Sequence, residues 1–226
     1  MPRIRYYTLA ASLPRLQHFE RTERMAINRQ RLDQRLLNLS AEDAAQLGAA
    51  EQLVEWQQQP GGRTDAEVVA LYRKVSPALE NDALRDFVHF RMDQRTVLAA
   101  LRRRLRGDQP PASHDDWGIS PRAQWVSGHW DAPDFGLSGH YPWIGEARRL
   151  LESRDALALQ RLLLNVVWVR LGRIADQRPF GFEEVFAFVF KWDIANRWLS
   201  YRADAAVTRF RELVTEGMRE HQERVG

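Results

Sequence analysis

The chain of 226 residues contains no cysteine. This excludes disulfide staples, thiolate nucleophiles, iron–sulfur clusters and zinc sites built on sulfur, and it fits a reducing compartment such as the cytoplasm. Lysine is nearly absent too: Lys74 and Lys191 are the two lysines among 33 basic residues, and the rest are arginine. A GC-rich genome accounts for such a bias, and arginine also suits interfaces because its weakly hydrated fork fits carboxylates. No apolar run reaches the ~20 residues that a membrane span needs. The nearest, Leu157 to Leu171, is interrupted by Gln160, Arg161, Asn165 and Arg170. The opening MPRIRYYTLAASLPRL has too few apolar residues for a signal-peptide core. An excess of one charge is also missing, since 33 basic and 30 acidic residues leave a net +3. That balance argues against a nucleic-acid partner. No glycine-rich phosphate loop, nucleophile elbow or HExxH pair occurs, so no cofactor is expected. What remains is 44% hydrophobic and 10% aromatic, enough for a sizeable core and too rich for disorder.

The hydrophobic spacing predicts helix after helix. Asn28 caps a helix through Leu32, Leu36 and Leu39, and Ser40 with Asp43 opens another that ends at Pro60-Gly61-Gly62. Thr64 or Asp65 caps a third through Tyr72. Ser76-Pro77 then reads as the start of a long helix to Arg106, about 45 Å if unbroken, with Gly107 as its C-terminal stop. Residues 108–142 follow no period and hold five of the ten prolines together with Trp117, Trp125, Trp130, Phe135 and Tyr141. So aromatic a segment is expected to pack as an ordered cover. Helices resume at Trp143. Asp155 caps a helix whose apolar residues nearly encircle it and which should be central; the Arg178-Pro179-Phe180-Gly181 turn and two further helices, from Phe182 and from Asp204, complete the chain. Ile4 to Ala10 is the one ambiguous strand candidate. The expectation is a single all-α domain over 1–226, a helical bundle whose halves, about 1–107 and 143–226, are joined by the 108–142 loop.

An offset of one hundred residues aligns 90–102 with 190–202. Phe90, Asp93 and Arg102 fall on Phe190, Asp193 and Arg202, and Thr96 falls on Asn196. Residues three apart share a helix face, so Asp93 with Thr96, and Asp193 with Asn196, are expected to form matching polar patches. An Asp followed three residues later by Asn or Thr, then an aliphatic run ending in Arg, resembles the helical repeat of the rotary-ATPase central-stalk subunit, called C in archaeal-type and d in vacuolar-type enzymes. Tyr6-Tyr7-Thr8-Leu9-Ala10-Ala11-Ser12-Leu13-Pro14, and the stretch from Arg178-Pro179-Phe180 to Asn196-Arg197-Trp198, resemble an uncharacterised bacterial family usually encoded beside vacuolar/archaeal-type (V/A-type) ATPase subunits. The resemblance implies an all-helical, non-catalytic wedge between rotor ring and shaft, peripheral to the membrane through its partners. The stalk subunits carry three repeats where this chain has room for two, and Thr96 stands where their Asn is usual.

Candidate contact residues are the basic cluster Arg102, Arg103, Arg104 and Arg106 and the tryptophans Trp117, Trp125 and Trp130, because Arg and Trp dominate interface hot spots. The plainer readings are complementation of a helix dipole for the arginines and core packing for the tryptophans. His114, Asp115, Asp116, His129, Asp131, Asp134 and His140 crowd the same segment, yet their spacing fits no metal-ligand pattern, and solvated turn residues explain them. The function expected is therefore a subunit or assembly factor of a V/A-type ATPase. The alternatives are a stand-alone helical ligand-binding protein or enzyme with 108–142 as a lid, and a nucleic-acid or regulatory binder using the arginine cluster.

Overall fold

The computed structural model describes residues 5–54, 64–111, 117–119 and 122–202, and among them the fold is all-α with no strand. The order is α1 Tyr7–Ser12, α2 Arg29–Leu36, α3 Ala41–Val54, α4 Asp65–Val75, α5 Asp82–Leu105, α6 Arg122–Gly128, α7 Trp143–Glu152 and α8 Ala156–Gln177, followed by α9 over 182–202. The expected helix from Asp204 and the Pro60-Gly61-Gly62 turn lie outside the described residues. No described helix is long and apolar enough to cross a membrane.

Local chemistry sets most helix ends. Asn28 accepts from Arg31 N at 2.9 Å, Asp155 from Ala158 N at 2.9 Å, and Ser40 Oγ from Asp43 N at 3.1 Å. Thr64, not Asp65, caps α4, in a reciprocal box with Glu67. Gly107 adopts a positive φ after α5, and the bonds Gly107 N to Arg104 O and Asp108 N to Arg103 O close that helix as expected. α7 ends in the same way, but there the left-handed position is filled by Arg154, at φ 58°.

Four expectations need correction. Tyr7–Ser12 is helical, so the described part of the Ile4 to Ala10 candidate is not a strand; Tyr6 fixes the start of the helix by bonding Ser40 and Asp43. Ser76-Pro77 opens only a 3₁₀ turn, Ser76–Ala78, and α5 begins at Asp82 because Asn81 caps it. At 24 residues α5 spans about 36 Å, not 45 Å. α8 buries one face and leaves Arg161, Asn165, Val169 and Arg173 exposed along the other, so it is not encircled by core. Finally, the 108–142 segment contains α6 and a chain of tight turns as well as aperiodic stretches.

Two large clusters of buried side chains form the interior. The first joins α1, Phe19, α3, α4, the N-terminal half of α5, the C-terminal half of α8 and α9. The second joins Val97 to Leu101 of α5 with Trp117, α6, Phe135, Leu137, α7 and the start of α8. Both α5 and α8 run through both clusters, in opposite senses. A smaller group seats α2 on α9, where the Trp192 indole donates to Ile27 O at 2.8 Å.

Candidate functional site

The basic end of α5 is largely engaged within the chain. Arg103 pairs with Asp65 at 3.2 Å and lies over the Trp117 ring at 5.4 Å. Asp65 is shared with Arg95 at 3.1 Å, two helical turns away on the same face of α5. Arg104 donates to Ala132 O at 2.5 Å and covers the Phe135 ring at 5.2 Å, while Arg106 pairs with Asp108 at 2.7 Å. Arg102 is exposed and lines a cavity of about 250 Å³ with Asp65, Arg95 and Leu98. The arginines thus fasten α4 and the 117–141 segment to α5, beyond complementing its dipole.

The tryptophans divide. Trp117 is only 3% exposed and belongs to the second core, with Trp130 edge-to-face against it at 6.4 Å. Trp125 on α6 is 46% exposed. Its indole N–H donates to Phe135 O at 2.9 Å, and its ring stacks on His129 at 4.2 Å. Phe135 is fully buried despite a φ of 55°, so the turn that carries it is held by burial of its ring. Trp125 and Arg104 therefore meet at Phe135, one on its carbonyl and one over its ring. The Trp125 indole is thus half-exposed and fixed in orientation by Phe135 O and the His129 ring.

Among the described residues no group of three or more side chains could hold a metal ion. Asp134 accepts from Gly136 N at 3.0 Å and Ser138 N at 3.2 Å, and the Ser138 and Gly136 bonds hold its carboxyl below the usual range. His129 Nδ1 lies 2.9 Å from Trp125 O, while Asp131 and His140 belong to the turns that follow. His114, Asp115 and Asp116 lie outside the described residues.

The two aligned segments share a beginning and then part. Phe90 and Phe190 are both buried in the first core. Asp93 accepts from Arg122 Nε at 3.0 Å and from the Tyr141 hydroxyl at 2.6 Å, whereas Asp193 pairs with Arg29 at 3.7 Å. Thr96 does not join Asp93; its hydroxyl donates to Met92 O at 3.0 Å, and its methyl faces Gly118. Asn196 O accepts from Ser200 Oγ, and Arg102 and Arg202 are both exposed. The Asp93–Arg122–Tyr141 network was not visible in the sequence. Burial, then the bond to Asp93, push the Tyr141 hydroxyl up to about 12.

The two segments that carried the N- and C-terminal resemblance meet in space: Tyr6 N donates to Phe180 O at 2.6 Å, and the Tyr7 and Phe180 rings pack at a tilt with their centroids 5.1 Å apart. Comparison with curated proteins gives no match, and comparison with solved structures gives none either. A model of the family described as "Protein of unknown function (DUF2764)" matches residues 50–221, about three quarters of the chain, and this protein belongs to that family.

Proposed function

We propose that this protein is a non-catalytic docking subunit or assembly factor of a V/A-type rotary ATPase, related in role to the central-stalk C/d subunit. The observation that carries the docking role is the exposed Trp125 indole, fixed by Phe135 O beside the arginine-rich end of α5. A rigid, amphipathic ring that loses little side-chain entropy on contact is what an interface anchor requires. The assembly it serves is assigned from the resemblance of Tyr6 to Pro14 and of Arg178 to Trp198. The chain acts in the cytoplasm at the membrane face of the complex, through its partners. Its mechanism is mechanical: α5 and α8 each cross both cores, so load or alignment applied at α6 passes to α3 and α9 through packed side chains.

Affinity capture with the tagged full chain, followed by identification of ATPase shaft, ring and catalytic subunits, tests this reading. Co-elution in fixed ratio, weakened by Trp125→Ala or by Arg102→Ala with Arg106→Ala, is the expected result. Capture that recovers none of those subunits overturns it.

A further inference from the structure

A second cavity, of about 500 Å³, opens between the N-terminal ends of α3 and α5 and the Arg178–Gly181 turn that joins α8 to α9. Two of the few buried polar side chains lie at its floor. Gln46 and Glu183 line it, and both are more than nine-tenths buried, at 5% and 6% exposure. Asn81 holds the pair in place. Its backbone N donates to Gln46 Oε1 at 2.7 Å, its side-chain N donates to Glu183 Oε1 at 3.2 Å, and its Oδ1 accepts from Leu84 N at 3.0 Å. The clamp uses one oxygen of each partner. Among the described residues Gln46 Nε2 and Glu183 Oε2 make no hydrogen bond, and neither atom is sealed into the core.

A buried carboxylate needs an opposite charge or several donors, and one amide N–H at 3.2 Å is a weak match for it. The two cations at the cavity wall do not supply one. Arg5 donates to the Tyr7 hydroxyl, and no ion pair joins Arg178 to a carboxylate among the described residues. The rim adds Glu42, Asp43 and Glu80, so the lining carries four carboxylates against two guanidinium groups. The wall is also shaped around Glu183. A Cβ on Gly181 would lie 2.6 Å from Glu183 Oε2 and 3.2 Å from Arg178 O, so glycine leaves the room that the carboxylate occupies. The turn itself is pinned, by Tyr6 N to Phe180 O at 2.6 Å and by Phe180 N to Glu184 Oε2 at 2.5 Å.

We propose that this cavity binds an arginine side chain presented by a partner protein, with its guanidinium on Glu183 and a neighbouring peptide carbonyl on Gln46. A guanidinium supplies forked donors to a carboxylate. The free donor on Gln46 asks for an acceptor as well, which a peptide has and a simple amine lacks. The site stands apart from the ATPase reading, because a chain that recovers no ATPase subunit still binds an arginyl peptide here.

The test is NMR titration of the full chain, following the side-chain amides of Gln46 and Asn81, with acetyl-Gly-Arg-Gly-amide to millimolar concentration. The same peptide with citrulline in place of arginine, and agmatine, serve as comparisons. Saturable shifts of both amides with the arginyl peptide, and binding at least about tenfold weaker with the neutral citrulline peptide, are expected. Glu183→Gln keeps the Asn81 bond and removes the charge, and it should weaken binding by about tenfold or more. Gly181→Ala should do the same by displacing the carboxylate. Absence of shifts, or equal affinity for arginine and citrulline peptides, overturns the proposal, and this comparison needs only the unaltered chain. Equal affinity in a folded Glu183→Gln variant overturns it too, and agmatine binding as tightly as the peptide overturns the assignment to a protein partner.

Discussion

Replacing Gly118 with alanine isolates the contact that locks the aromatic segment onto α5. Gly118 is buried, and a Cβ built there would lie 2.7 Å from Thr96 Cγ2, 2.8 Å from Thr96 Oγ1 and 3.0 Å from Ala123 Cβ. None of the three atoms is the tip of a long side chain. Thr96 is 2% exposed, its hydroxyl is committed to Met92 O, and its β-branch leaves it few rotamers in a helix. The clash must therefore move backbone, and overpacking of this kind costs about 1–3 kcal/mol. For a chain of this size each kcal/mol lowers the melting temperature by about 2–4 °C. Thr96→Ala removes two of the three clashing atoms. Alone it should cost about 1 kcal/mol through one lost methyl group and a hydroxyl already served within its own helix. In the Thr96→Ala background Gly118→Ala should then cost about 1–2 kcal/mol less than it does alone. Urea unfolding followed by helical circular dichroism measures all four members of the cycle. A Gly118→Ala variant as stable as the parent, or costs that simply add, would show that the segment does not press on α5 at Thr96.

Four other perturbations have definite expected outcomes. Arg154→Gly should stabilise the chain by about 0.5–1 kcal/mol in the same unfolding assay, because an exposed arginine at φ 58° occupies a position that suits glycine. Phe87→Ala, at a site with no exposure and with Phe190 5.1 Å away, should cost about 3–5 kcal/mol; a loss under 1 kcal/mol contradicts the packing described. The folded chain binds the Tyr141 proton more tightly than the unfolded chain, so that contribution is whole below pH 10 and is lost as pH rises from 10 to about 12. Tyr141→Phe should flatten stability against pH in that window, and an unchanged slope counts against the Asp93 bond. Trp125→Ala should leave core fluorescence from Trp117 and Trp168 intact while altering only the emission of an exposed indole.

How much was legible depended on the range of the interaction. Asn28, Asp155, Thr64 and Gly107 act on backbone groups within a few residues, and the sequence shows both halves of each interaction. The start of α5 has two local candidates, Pro77 as a good first residue of a helix and Asn81 as a cap for Leu84 N; Asn81 is favoured by its further bonds to Gln46 and Glu183, 35 and 102 residues away. Composition said that α8 is apolar but not which side meets the core, so the exposure of Leu157 and Val169 was hidden. Within 108–142 there is no period to separate buried from exposed, and nothing local distinguishes Trp117 in the core from Trp125 at the surface. The arginine cluster was located correctly at a helix end, but its partners Asp65 and Ala132 come from two other parts of the chain.

Because α5 belongs to both cores, neither core has a boundary at which it can melt alone. The turn around Gln94 is where this bears hardest: Gln94 is 2% exposed, lies between the last side chain of one cluster and the first of the other, and donates to Leu163 O of α8 at 3.3 Å. Amide protons of that turn should exchange with solvent only when the whole molecule opens, and they should be the last to do so. A load applied at α6 would then be carried by α5 and α8 as by one lever arm spanning both cores.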